Sequence, residues 1–102
     1  MEKIFKALSS PVRRRILAYL SGGPLRAGDI ADRFEMAWPT ISRHLNVLEN
    51  ARLVRSQKKG LHVFYTLEKD NLVTSVYDFL ADFCPVSRTL KKESRTRRTK
   101  HD

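Results

Sequence analysis

The chain has 102 residues, 41% of them apolar, with 20 Lys/Arg against 11 Asp/Glu, a formal charge of +9 and a pI near 10.2. That length holds one small domain and leaves no room for a deep catalytic cavity beside a full core, while the positive surplus favours a polyanionic partner, most simply nucleic acid. One cysteine, Cys84, excludes an internal disulfide framework and suits a reducing compartment, and no stretch approaches the roughly 20 apolar residues of a membrane span. With no apolar leader and cleavage site at the N-terminus, the chain reads as a soluble cytoplasmic protein. The charge is unevenly spread. Residues 1–84 carry 13 Lys/Arg and 9 Asp/Glu, net +4, and residues 85–102 carry 7 and 2, net +5.

Residues 2–8 form a short helix candidate with Ile4, Phe5 and Leu8 on one side. Ser10-Pro11 is a helix start, a serine oxygen to cap and a proline where no amide donor is needed. That helix runs to about Leu20, with Val12, Ile16, Tyr19 and Leu20 on one face, and Gly22-Gly23-Pro24 stops it. Arg26–Phe34 reads as a second short helix with Leu25, Ile30, Ala31 and Phe34 inward. After a turn at Met36-Ala37 comes a helix over Pro39–Ala51, whose Ile41, Leu45 and Leu48 recur at helical spacing. On its wheel Pro39, Arg43, Asn46 and Asn50 point away from the core, with Trp38 and Ser42 toward one edge. Val54–Lys58 and Leu61–Leu67, joined by a Lys59-Gly60 turn, alternate like a two-stranded hairpin.

The last helix, Leu72–Cys84, has an unusually wide apolar set. Leu72, Val76, Phe79, Leu80 and Phe83 occupy one side, and Val73, Tyr77 and Cys84 extend it. A helix packed only on its own domain needs a narrower stripe. The extra width predicts a homodimer interface of Ile4, Phe5, Val73, Val76, Tyr77, Leu80 and Cys84. Pro85 closes the helix, and residues 86–102, Ser/Thr/Lys/Arg-rich and with too few apolar side chains to bury, are expected to form a basic, disordered tail. The domain proper is then 1–85.

Helix, turn, helix and basic hairpin together make a DNA-reading arrangement, and the residues that carry it resemble a known family. Phe5–Leu17 (FKALSSPVRRRIL), Ala27–Phe34 (AGDIADRF), Pro39–Leu45 (PTISRHL) and Leu53-Val54 are similar to the ArsR/SmtB family of winged helix-turn-helix repressors, most closely its metal-independent subgroup. With the wing, the resemblance covers about residues 3–84. It implies a mainly α fold with a β-hairpin wing: four helices, two strands and a closing fifth helix. It further implies a dimer built from the first and last helices, and transcriptional repression. The family's base-contacting positions fall on Trp38, Pro39, Ser42 and Arg43, with Thr40 and His44 alongside. Three positions depart from the family pattern. Trp38 replaces a polar group and suits a thymine methyl or a sugar. Ala37 replaces a serine cap, leaving N-terminal amides for phosphate or water. Arg52 replaces a glycine, where a left-handed backbone costs about 1 kcal/mol.

The expected DNA contacts are therefore Trp38, Pro39, Thr40, Ser42, Arg43, His44, Asn46, Lys58, Lys59 and His62. Arg43 leads, since a guanidinium matches the two acceptors of guanine in the major groove. Ser42 and Thr40 bond DNA or simply their own helix, and His44 suits packing more than base reading. Lys58, Lys59 and His62 touch backbone or minor groove, or form an ordinary solvated hairpin. Arg13, Arg14 and Arg15 fan about 100° apart and cannot share a face; one is available to phosphate and the others to acids. No metal is expected: Asp78 and Asp82 lack an imidazole or thiolate companion, and His44, His62 and His101 lie on separate elements. Cys84 is a packing residue sooner than a redox switch. Enzymatic chemistry has no nucleophile–base pair, phosphate loop or carboxylate dyad to work with, and no cofactor is implied. The reading is a sequence-specific, homodimeric repressor of double-stranded DNA, autoregulation included, on an inverted-repeat operator. The alternatives are a winged-helix protein-interaction module and a ligand- or metal-sensing switch of the same fold.

Overall fold

Ser10 opens its helix as its chemistry requires: the hydroxyl oxygen accepts from the Arg13 N–H at 3.3 Å, and Pro11 takes the first helical position. The computed structural model, which describes residues 1–83, runs α1 (Glu2–Leu8), α2 (Pro11–Leu20), β1 (Leu25–Arg26), α3 (Ala27–Ala31), α4 (Trp38–Asn50), β2 (Val54–Lys59), β3 (His62–Leu67) and α5 (Lys69–Leu80). The strands form one antiparallel sheet in the order β1-β3-β2. This is a mainly helical fold with a β-hairpin wing.

Within residues 1–72 the core is the apolar set that the helical spacing announces. Ile16, Leu20, Ile30, Ile41, Leu45, Leu48, Leu53 and Val54 are essentially sealed from solvent. Truncating any of them to alanine would cost on the order of 1–5 kcal/mol, least for the valine. Phe34 closes one edge, its ring meeting Tyr19 edge-on at 5.8 Å. Tyr65 and Leu67 of β3 and Leu72 at the start of α5 pack against the same cluster.

Several boundaries differ from the sequence reading. Leu25 and Arg26 are extended and pair with Tyr65 and Phe64, adding a short third strand to the hairpin. The helix expected over Arg26–Phe34 is therefore only Ala27–Ala31; the Arg33 and Phe34 amides bond the Ile30 and Ala31 carbonyls in tight turns. Gly28 within the helix and Asp32 at its end, both poor helix formers, leave little propensity to extend it. Lys59 belongs to the strand, opposite His62, so the hairpin turn is Gly60-Leu61. Gly60 has φ 63°, as the first central position of such a two-residue turn demands. α5 starts at Lys69, three residues before the apolar period does. Glu68 accepts the Leu72 N–H, and the polar Lys69-Asp70-Asn71 turn, with Asp70 near the positive helix end, has no apolar face to reveal it.

Arg52 does adopt the left-handed conformation, at φ 59°. It terminates α4 with the two bonds of a Schellman motif: Arg52 N–H to the Glu49 carbonyl and Leu53 N–H to the Leu48 carbonyl, both 3.0 Å. Asn71 Nδ2 then donates to the Arg52 carbonyl at 2.7 Å.

From Val73 onward the chain is a second unit. Its helix ends at Leu80, and residues 81–83 continue as a turn with Asp82 and Phe83 amides bonded to the Phe79 and Leu80 carbonyls. The helix expected through Cys84 is thus shorter. Val73, Tyr77, Phe79, Leu80 and Phe83 are exposed while Ser75 and Ala81 are buried, and the Phe79 and Phe83 rings stand 5.0 Å apart. Cys84 and the tail of residues 86–102 lie outside the described residues. Among the described residues no helix is long and apolar enough to cross a membrane.

Candidate nucleic-acid interface

The buried stripe Ile41, Leu45 and Leu48 fixes how α4 faces the core, and so decides what the opposite side shows. Pro39, Arg43, Asn46 and Asn50 form an exposed ridge along the helix, with Thr40 exposed beside it and Ser42 half-buried. Trp38, at the first turn, keeps 46% of its surface in solvent, next to exposed Met36. Ala37 is the N-cap and makes no side-chain capping bond. The expected supply of N-terminal donors is nevertheless smaller than the missing serine suggests. Pro39 has no N–H, and the Thr40 amide is engaged by the Ala37 carbonyl at 3.0 Å.

His44 lies apart from that ridge. It is half-buried, and its Nδ1 stands 3.1 Å from Arg13 Nη1. A guanidinium can only donate, so Nδ1 is the acceptor and the ring proton sits on Nε2. Burial, followed by the charges of Arg13 and Arg43, pushes the His44 pKa below the ordinary histidine value. The same Arg13 donates through Nε to the Ala7 carbonyl at 2.7 Å and through Nη2 to the Lys6 carbonyl at 2.8 Å. Arg14 Nη1 donates to the Leu8 carbonyl at 2.7 Å. Arg15 stacks on Phe34, 4.7 Å from the ring centroid, and donates to the Tyr19 hydroxyl. The three arginines do diverge, but their partners are the C-terminal carbonyls of α1 and aromatic rings, where acids were expected. Carbonyls at a helix end carry partial negative charge, and an arginine reaching back from the next helix satisfies them.

The wing separates residues that the sequence groups together. Register puts Lys59 beside His62 on one face of the hairpin, along with Gln57 and Phe64; Lys58, paired with Val63, lies on the other. Lys59 Nζ sits 5.5 Å above the Phe64 ring. At the tip Leu61 is 96% exposed, a position that the strand pattern mistook for a strand residue. The hairpin is tied to α4 by one carboxylate: Glu49 Oε2 accepts from Ser56 Oγ at 2.5 Å and from the Ser56 amide at 3.2 Å. Burial and, less strongly, Glu49 raise the pKa of the neighbouring Tyr65 hydroxyl. On the outer face Arg55 meets Glu68 at 3.4 Å, an exposed pair of little energetic weight. Sequence reasoning missed Arg13 and Glu49 as organisers, because neither contact follows from local spacing.

Of the residues expected at a dimer interface, Ile4 and Phe5 are half-buried, Ile4 against the core of its own domain. Val73, Tyr77 and Leu80 are exposed by half or more and Val76 is half-buried. Among the described residues no three His, Cys, Asp or Glu side chains gather as a metal site would need.

Comparison with known proteins adds an independent line. Residues 10–56 match the family model described as bacterial regulatory protein, arsR family. The chain is 43% identical over 76 residues to the transcriptional repressor SdpR of Bacillus subtilis, covering 74% of this chain and 84% of that one. It superposes with a TM-score of 0.74 on the crystal structure of an ArsR family transcriptional regulator, at 36% identity over 79% of this chain and 82% of the other. A homodimeric winged helix-turn-helix DNA-binding domain from Mycobacterium bovis, solved by NMR, aligns with a TM-score of 0.67 and 25% identity, covering 79% and 77% of the two chains.

Proposed function

The chain belongs to the ArsR family of bacterial regulatory proteins, and on that premise we propose that it is a homodimeric, cytoplasmic transcriptional repressor acting on an inverted-repeat operator. The observation that carries the reading is the division of α4: a sealed apolar stripe on one side and the exposed ridge Pro39, Arg43, Asn46 and Asn50 on the other. A helix so divided can enter the major groove with its ridge against base edges. Arg43 would read guanine; Trp38, Thr40 and Ser42 would meet thymine methyls, sugars or phosphates at the rim. The wing, with Lys59 and His62 on one face and Lys58 on the other, would reach flanking backbone.

Two-fold symmetry follows from the apolar surface of Val73, Tyr77 and Leu80, which a second copy would cover. Two recognition helices then demand half-sites about one helical turn apart. The homodimeric relative and the repressor SdpR support the assignment, and occupancy of promoter DNA, including that of its own gene, is the means of repression.

The deciding experiment is selection of bound genomic fragments by the purified protein at physiological salt, with sedimentation at micromolar concentration alongside. An enriched inverted repeat and a dimer mass are expected. Uniform, weak recovery would reduce the protein to a nonspecific DNA binder, and a monomer mass would remove the symmetry argument.

A further inference from the structure

One guanidinium joins two elements that the proposed function uses for different ends. Arg13 holds the Lys6 and Ala7 carbonyls at the end of α1 and, with its remaining arm, His44 Nδ1 in the middle of α4. A planar fork of fixed geometry satisfies three acceptors together in few relative placements. His44 adjoins Arg43 on a rigid helix, so a rotation of α4 that releases His44 turns Arg43 and Asn46 by the same angle.

We infer that Arg13 is a positioning residue for base reading: acting through His44, it sets the rotation of the recognition helix against α1. The inference rests on the proposed DNA-reading role of α4. It differs from simple capping of α1 because capping needs only the Lys6 and Ala7 carbonyls. The His44 contact adds nothing to the cap and everything to the helix orientation. A misplacement of a few tenths of an ångström matters here, since a bidentate contact to a base edge tolerates little.

The test uses the full chain with Arg13→Lys, His44→Leu, the double variant and His44→Asn. The DNA probes are the inverted repeat recovered by genomic selection and a random-sequence duplex of equal length, at one salt concentration. Lysine keeps the charge but cannot reach three acceptors, and His44→Leu leaves the α1 cap intact. Arg13→Lys and His44→Leu are each expected to lose about tenfold in operator-to-random preference with affinity for random DNA unchanged. The double variant should lose no more than the worse single one, because both remove the same link. His44→Asn, whose side-chain oxygen can replace Nδ1 as acceptor, should keep the preference within about twofold.

Additive losses in the double variant would mean that Arg13 acts independently of His44 and would overturn the inference. So would a lower melting temperature with unchanged preference, or a His44→Asn variant as impaired as His44→Leu. Should Arg13→Lys fail to fold, the contrast between the two His44 variants decides alone. Absence of any preference in the unsubstituted chain would instead overturn the DNA-reading proposal, and this inference with it.

Discussion

Three residues carry consequences out of proportion to their size. Arg43 stands exposed on the ridge of α4. Arg43→Ala should weaken operator binding by roughly 1–3 kcal/mol while hardly affecting random DNA, as paired titrations would show. Arg52 holds a left-handed backbone at φ 59° without being glycine. Its Schellman bonds and the Asn71 contact all use main-chain atoms of residue 52, so Arg52→Gly keeps them and removes the Cβ conflict. The expected gain is about 1 kcal/mol, or about 4–8 °C in Tm by thermal melt. His44 has its pKa lowered by burial and by Arg13 and Arg43. The unfolded chain therefore takes up that proton more readily than the folded one. Its stabilising effect is present above the ordinary histidine value and is lost as pH falls through the lower, folded one. Urea midpoints should drop between about pH 7 and about pH 5, with a shallower slope in His44→Asn.

Elements in this fold are shaped by what they meet as much as by their own propensities. β1 exists because an extended Leu25-Arg26 finds the open edge of β3, and its two residues alone would never declare a strand. The wing would be an isolated two-stranded ribbon, marginal in water, were it not paired to β1 and bound to α4 by Glu49. Removing that carboxylate in Glu49→Ala should cost at most about 1 kcal/mol, because the bonds are solvent-exposed. The sharper outcome is local: the Ser56 amide should lose hydrogen-exchange protection while amides in α2 keep theirs. Equal loss in both would mean that Glu49 supports the whole domain and is no specific anchor of the wing.

For the whole molecule, the proposed function makes charge and two-fold symmetry the terms that would decide how DNA is met. The seven Lys/Arg among residues 85–102 outweigh the two acids there, and a segment of that composition attracts phosphate without regard to sequence. Deleting residues 86–102 should weaken binding to every duplex alike. The slope of log affinity against log salt should become shallower by about one unit for each cation that engages a phosphate. A change in site preference on deletion would instead assign the tail a reading role. The exposed Val73, Tyr77 and Leu80 belong to the same scale, since a single copy leaves them in water.

What the sequence determined by itself was periodic or chemical in origin. Ile41, Leu45 and Leu48 at helical spacing, Ser10-Pro11 at a helix start and the alternation of Val63, Tyr65 and Leu67 each state their element, because burial and capping act over one or two turns. From those, the winged helix-turn-helix and the exposed ridge of α4 were legible in advance. Tertiary structure decided whatever depended on partners distant in the chain. Only the register against Tyr65 and Phe64 made a strand of Leu25-Arg26, and only the pairing with His62 moved Lys59 out of the turn and away from Lys58. Only the approach of α1 and α4 to α2 turned Arg13 from one of three consecutive cations into a link to His44. Such contacts join residues as distant in the chain as Leu25 and Tyr65, and local spacing does not encode which side chains the folded core will bring together.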